Sequence, residues 1–231
     1  MNYGTVSAMF DPHCRLCPRL ARHLKGVKRD YPGYFSAPVP AFGDPDARLL
    51  VVGLAPGLHG ANATGRPFTG DFAGILLYQT LHRFGYASAA ESVNLSDGLT
   101  LTDCRISNAV KCLPPENKPT GDEINTCNRF LRHEIASSEA VEVIVALGTI
   151  AHNAVLKAYQ VTLSAYPFGH AQEHRLPDGR LLIDSYHCSR YNTQTGRLTE
   201  AMFEQVFTKV RRRLDAPQVP VQARNDGVVT V

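Results

Sequence analysis

The strongest hydrophobic signal along the chain is a set of short, nearly unbroken Val, Ile and Leu runs separated by stretches with helical spacing. RLLVVGL (48–54) and VEVIVALG (141–148) show no polar alternation, the pattern of strands covered on both faces. CRISNAV (104–110) and RLLIDSY (180–186) are weaker strands of the same kind. Between them, Phe72 to Phe84 sets Ile75, Leu76, Leu81 and Phe84 at helical spacing behind Asp71, a capping residue type. Thr120 followed by Glu123 forms a capping box that opens a helix through Ile135. Two more helices are predicted, from Ile150 to about Tyr159 and from Glu200 to Leu214. The second has an acid in its first turn and Arg211, Arg212 and Arg213 in its last, matching the macrodipole. Strands alternating with helices predict an α/β fold, a three-layer α/β/α sandwich around a central, mainly parallel four-stranded sheet.

Composition narrows this picture without redirecting it. At 231 residues, 44% hydrophobic and 19% charged, the chain suits one domain over residues 1–214. Asp215 to Val231, with Pro217 and Pro220 and no helical period, reads as a loosely held tail. Pro32, Pro38, Pro40 and Pro45 mark an ordered surface connector ahead of the first core strand. No apolar run approaches the ~20 residues of a membrane span, and the first residues lack the basic-then-apolar order of a signal peptide. The expectation is a cytoplasmic monomer with no membrane partner. A net charge of +3 neither demands nor excludes nucleic acid, since a polyanion would have to meet a local basic patch.

The spacing of the six cysteines matters more than their number. Cys14 and Cys17 form a C-x-x-C pair, and Cys112 and Cys127 lie either side of a Pro-rich turn. Four thiolates that converge can hold a structural zinc or an iron–sulfur cluster, and spacing alone does not separate the two. Cys104 reads as core. Redox catalysis by the C-x-x-C pair is disfavoured, because the pair precedes the first strong strand by some thirty residues.

The candidate chemistry lies in two loops. GLAPGLHGANATGRPFTGDFAG (53–74) follows the first strand with six glycines in 22 residues, a density that lets backbone approach a ligand where open α/β sheets place their sites. It is neither GxGxxG nor a P-loop, so nucleotide binding is poorly supported. YHCSRYNTQTGRLTEAM (186–202) follows the last strand and should share its rim.

GLAPGLHGAN with TGRPFTGD, then SNAVKC, then SYHCSRYNTQTGRLT resemble, in order, the signature blocks of the family 5 uracil-DNA glycosylases, from Cys14 to about Val210. The resemblance implies an enzyme that flips uracil out of DNA and hydrolyses its N-glycosidic bond, with other deaminated bases such as hypoxanthine also accepted. It implies a [4Fe–4S] cluster on Cys14, Cys17, Cys112 and Cys127, with zinc the less favoured occupant. Phe68 is similar to the aromatic that stacks on the flipped base, Asn108 to the residue facing the uracil Watson–Crick edge, and His187 to the donor that stabilises the departing anion. Gly53, Leu54 and Ala55 supply backbone walls. Since neither Leu54 nor Ala55 can activate water, Asp71 is the carboxylate left to place the water or the sugar cation. His187-Cys188-Ser189 departs from the usual His-Pro-Ser of the second motif, which removes the stiffness of the proline. For DNA, Arg190 and Tyr191 are candidates for a wedge, Ser189, Asn192, Thr193 and Arg197 for phosphate contacts, and His59, Asn62 and Arg66 for a positive rim. The rival readings are a non-catalytic DNA-binding module with a four-cysteine metal site, and a hydrolase of free nucleosides.

Overall fold

The computed structural model describes residues 9–216. In chain order the elements are α1 (Pro18–Asp30), β1 (Phe42–Gly43), β2 (Leu49–Gly53), α2 (Ala61–Thr64), α3 (Phe72–Arg83), β3 (Cys104–Asn108), α4 (Gly121–Ser137), β4 (Val143–Leu147), α5 (Thr149–Ala158), β5 (Glu173–Arg175), β6 (Leu181–Ser185), α6 (Arg190–Gln194) and α7 (Glu200–Leu214). The sheet order is β1-β3-β2-β4-β6-β5. The four predicted strands form its parallel centre, β3-β2-β4-β6. The sheet has six strands rather than four, because β1 and β5 add antiparallel edges. At two and three residues, those edges are too short to leave a period-two signature.

The unbroken apolar runs are explained by burial on both sides. Leu49, Val51, Val143 and Val145 face one way, into a core with α3 and α7. Leu50, Val52, Ile144 and Ala146 face the other, into a core with α4 and α5. This makes the three-layer sandwich. The crossovers that leave β2 and β4 run in opposite directions along the sheet, so the crevice at their carboxyl ends is where this architecture opens a binding site.

The caps are as the sequence predicts. Thr120 and Glu123 make both halves of the capping box, and Asp71 accepts a hydrogen bond from the Gly74 N–H at 3.0 Å. Within α3 the inward face is Leu77, Tyr78 and Leu81, whereas Ile75, placed on that face by spacing, is 51% exposed. Helix α1 was not anticipated. It opens on Cys17 with Pro18 at its first position, ends on Lys28 and Arg29, and packs Leu20, Leu24 and Val27 against Phe130 of α4. The proline connector leads into the sheet edge β1; Pro32, Pro40 and Pro45 are exposed as expected of a surface segment, whereas Pro38 and Val39 are buried. Of the predicted tail, residues 217–231 lie outside the described residues. Among the described residues no helix is long and apolar enough to cross a membrane.

Candidate active site

Strands β2 and β3 end side by side at Gly53 and Asn108. Beyond them the ladder continues, with Ala109 N–H donating to Gly53 O at 2.9 Å and Val110 N–H to Leu54 O at 3.0 Å. This clamps the Asn108 carboxamide against Gly53, where a Cβ on Gly53 would come within 2.5 Å of both Asn108 Oδ1 and the Phe68 ring. Asn108 is 3% exposed, and its Oδ1 has no hydrogen-bond partner. A buried acceptor left unpaired costs about 1–3 kcal/mol unless something satisfies it. That orphaned oxygen points to a ligand.

The glycine-rich loop turns back on itself to face this pair. Phe68 holds a left-handed φ of 56°, uncommon for a bulky residue, and its carbonyl lies where a Cβ on Gly74 would sit, 1.8 Å away. The Phe68 ring lies roughly parallel to the His187 imidazole, with centroids 6.1 Å apart at 29°. Asp71, while capping α3, lays its other oxygen over Gly60, where a Cβ would come within 2.4 Å. It therefore serves as cap and as cavity wall at once.

The result is a cavity of about 640 Å³ lined by Leu54, Ala55, Phe68, Asp71, Asn108 and His187, with Ser189 and Arg190 at its mouth. Burial pushes the Asp71 carboxyl above its usual range, opposed by hydrogen bonds from Gly74 and Ala73. Burial holds His187 down to about 4, so the imidazole is neutral at physiological pH and can donate one N–H without carrying charge. The structure thus gathers the predicted residues Asp71, Asn108, His187, Phe68, Leu54 and Ala55 around one cavity, with Gly53 directly behind the Asn108 and Phe68 side chains.

The second loop is tighter than its polar sequence implies. Ser189 caps α6, and Thr193 donates back to the carbonyls of Ser189 and Arg190. The Asn192 amide donates to His187 O at 2.8 Å, which fixes the histidine's backbone in a loop that lacks the usual proline. Asn192 and Arg197 line a neighbouring cavity of about 240 Å³ that shares Leu54 and His187 with the first. Arg197 lies over the Tyr186 ring and Arg190 over the Phe72 ring. Tyr191 projects, 70% exposed.

Two residues expected on a positive rim are elsewhere. Arg66 is 3% exposed, holds both Asp97 oxygens at 2.9 Å and lies over the Phe42 ring. Asn62 is fully buried on α2. The loop folds inward at α2, turning both side chains away from the cavity. His59 does reach the rim, with its Nδ1 hydrogen-bonded to the Tyr34 hydroxyl at 2.7 Å. Asn117 also lines the cavity, at a left-handed turn that nothing in the sequence had tied to the site.

A second, far smaller cavity of about 20 Å³ lies behind the β3 end. It is lined by Cys14, Cys17, Cys112 and Cys127, with Leu20, Pro38 and Phe130. Burial raises the thiol of Cys17 to about 11 and pushes Cys112 and Cys127 up as well, with neighbouring cysteines adding to the rise at Cys17 and Cys112. Lys111 donates its backbone N–H to Cys127 Sγ at 3.3 Å and buries its ammonium on Glu134 at 2.8 Å. Among the described residues, one trio of metal-ligand types has its donor atoms within 4.8 Å of one another, His152, His174 and Asp184. There His152 bridges Asp184 at 2.7 Å and the Tyr166 carbonyl at 2.9 Å, bracing β6 three residues before His187. The cysteine sulfurs do not gather that closely. Cys104 and Cys188 are buried in the apolar core.

A parallel α/β sheet with an aromatic ring, a partnerless amide oxygen, an imidazole and a buried carboxylate around one cavity at its carboxyl rim defines an α/β protein with a polar-edged site at its strand ends. The model of the uracil DNA glycosylase superfamily matches residues 40–211. The chain is 49% identical over 204 residues to a type-5 uracil-DNA glycosylase of Thermus thermophilus, covering 86% of this chain and 93% of that one. It is 43% identical over 208 residues to one from Mycobacterium leprae, with 86% and 90% covered. A third, from Pyrobaculum aerophilum, is 40% identical over 203 residues, with 85% and 87% covered. The chain belongs to the uracil-DNA glycosylase superfamily, among the type-5 members.

Proposed function

We propose that this chain is a base-excision repair enzyme that removes uracil from DNA by hydrolysing the bond between the base and deoxyribose. The observation that carries the reading is the buried, partnerless Oδ1 of Asn108, a residue that lines the cavity. An amide held there offers an acceptor to the uracil N3–H and a donor to its O4, and it mismatches cytosine at both positions. The base enters by flipping out of the stack, which costs a few kcal/mol, and Phe68 supplies a ring face to offset it. Arg190, which lines the cavity, and the projecting Tyr191 beside it fill the space the base leaves. Ser189, Asn192, Thr193 and Arg197 sit where the flanking phosphates pass; the side chains of Asn192 and Thr193 are engaged within the loop, so they act there by shaping it.

As the C1′–N1 bond breaks, its electron pair goes to the base and positive charge develops on the sugar. Neutral His187 donates its N–H to the uracil oxygen that takes up the negative charge, a preorganised donor of the oxyanion-hole type. Asp71 faces the cationic sugar, orients a water toward C1′ and takes its proton. Leu54 and Ala55 contribute only walls. The products are free uracil and an abasic site. A pocket that relies on one amide and one imidazole also admits other deaminated bases such as hypoxanthine.

Cys14, Cys17, Cys112 and Cys127 are the residues that would hold a [4Fe–4S] cluster. The four thiols line one cavity, which supports a single occupant shared by all four. When bound, the cluster supplies cross-links joining the start of α1, the β3 extension and α4.

A uracil-containing oligonucleotide incubated with the protein and then treated with alkali tests the activity. Strand breakage at the uracil is expected, and none would overturn the reading in favour of a non-catalytic DNA-binding module. Faster release from free deoxyuridine would favour a nucleoside hydrolase instead.

A further inference from the structure

The positive charge of this chain is concentrated on a surface that the reaction does not use. Residues 14–30 carry six cations and one acid, a net of +5 against +3 for the whole chain, so the remainder is net −2. Five of the six, Arg15, Arg22, Lys25, Lys28 and Arg29, line a groove of about 660 Å³ between α1 and the 36–38 connector, and no acidic side chain lines it among the described residues. Arg22, Lys25 and Arg29 fall at i, i+3 and i+7, which puts them on one stripe of the helix, while Leu20, Leu24 and Val27 occupy the buried side.

The six cations divide by partner. Arg19 is held by Glu123 and Arg29 by Asp30. Lys28 donates to the Tyr34 carbonyl. Arg15, Arg22 and Lys25 are exposed, and no acid lies within ion-pair distance of them among the described residues. The basic helix α7 is the opposite case, with Lys209 and Arg212 on Glu173, Arg211 on Asp215 and Arg213 on Glu142. The groove is also tied to the candidate active site by hydrogen bonds. Lys28 fixes Tyr34, whose hydroxyl meets His59 on the cavity rim, and Ser36 N–H donates to Asn62 O at 3.0 Å in the glycine-rich loop.

We propose that the α1 groove is a binding track for the phosphodiester backbone of DNA flanking the flipped nucleotide, with Arg15, Arg22 and Lys25 each neutralising a phosphate. This rests on the reading of the chain as a DNA glycosylase, and it extends the footprint from the base pocket along α1. The 13-residue helix is about 20 Å long, the length of roughly six phosphates of one strand at 3.4 Å each. Arg22 and Lys25 on the helix, with Arg15 just ahead of it, give affinity without reading sequence.

The test is the salt dependence of binding to an undamaged duplex of about 30 base pairs, measured by fluorescence anisotropy for the full chain. Loss of three phosphate contacts in the triple variant Arg15→Gln, Arg22→Gln, Lys25→Gln should lower the slope of log affinity against log salt by up to ~2.7. Across a fourfold rise in salt, the variant should then lose about 40-fold less affinity than the parent. The matched variant Lys209→Gln, Arg212→Gln, Arg213→Gln removes the same charge from acid-paired positions and should leave the slope unchanged. Equal slopes for the parent and the α1 variant would overturn the proposal, and so would an equal shift in both variants. Uracil release by the parent is assayed alongside. If it is absent while the slope shift is present, the glycosylase reading fails and the groove stands; the converse fails the groove alone.

Discussion

The two cavities at the end of β3 are separated by four residues of chain and differ in nearly every physical respect. The first, around Asn108, is about 640 Å³, open, and lined by polar groups of which one, Asn108 Oδ1, is buried with no partner. The second, around Cys112, is about 20 Å³, closed, and lined by thiols among Leu20, Pro38 and Phe130. On the proposed function the contrast is one of exchange against permanence. A cavity that must take in and release a ligand leaves its polar groups unsatisfied in between, whereas one that holds a fixed occupant is sealed by the elements the occupant joins. Between them, Ser107 and Lys111 share Glu134, so the same hydrogen-bonded segment supports both.

The largest expected effect is at the closed cavity. Cys112→Ser should abolish bound iron and sulfide and lower stability by on the order of 5 kcal/mol, a fraction of what a structural metal contributes. That corresponds to roughly 10–20 °C in Tm by calorimetry. Unchanged iron content and Tm would remove the distinction between the two cavities.

At the open cavity the effects should fall on rate instead. Asp71→Asn keeps an equally good helix cap, so stability should hold while single-turnover uracil release slows by about 10²–10⁴-fold. Full activity would move the catalytic carboxylate elsewhere. Asn108→Ala should slow release by about 10²–10³-fold and leave Tm almost unmoved, since the amide oxygen has no partner to lose. A marked drop in Tm would make Asn108 a structural residue and blur the comparison.

The smallest effect is a pH dependence. His187 sits at about 4 in the folded chain against 6.5 when unfolded, so between these values the unfolded chain binds the extra proton. Stability is therefore full above pH 6.5 and falls as pH drops toward 4, by at most about 1.4 kcal/mol per pH unit from this one group. His187→Gln should flatten that portion of a urea-denaturation pH series, and an unaltered slope would place the imidazole in a more solvated site. Asp71, raised rather than lowered, has the opposite sign, favouring the fold below its unfolded pKa and less as pH rises through the folded one.

The central strands and the capped helices were legible because each depends on local information. Unbroken apolar runs require two covered faces, and Asp71 and Thr120 announce helix starts by side-chain chemistry. Helix α1 was equally legible, through Pro18 at its first position and Leu20, Leu24 and Val27 at helical spacing, but the C-x-x-C beside it drew the reading toward metal. The edge strands β1 and β5 left no pattern, since two or three residues cannot express one. Arg66 and Asn62 were misplaced because a polar side chain in a glycine-rich loop reads as exposed, and only the inward turn at α2 buries them.

By itself the sequence determined the α/β class, the central strands, the caps, the two chemistry-bearing loops and the four-cysteine set, all of which rest on residue type and short spacing. Only the tertiary structure decided that Asp71 both caps a helix and walls the cavity, that Asn108 Oδ1 is left unpaired, and that His187 is held neutral. It also decided that Arg15, Arg22 and Lys25, on and just ahead of α1, have no acid beside them among the described residues, while the cations of α7 are matched by acids. These are properties of what surrounds a group, set by burial and by partners distant in sequence, and no local pattern encodes them.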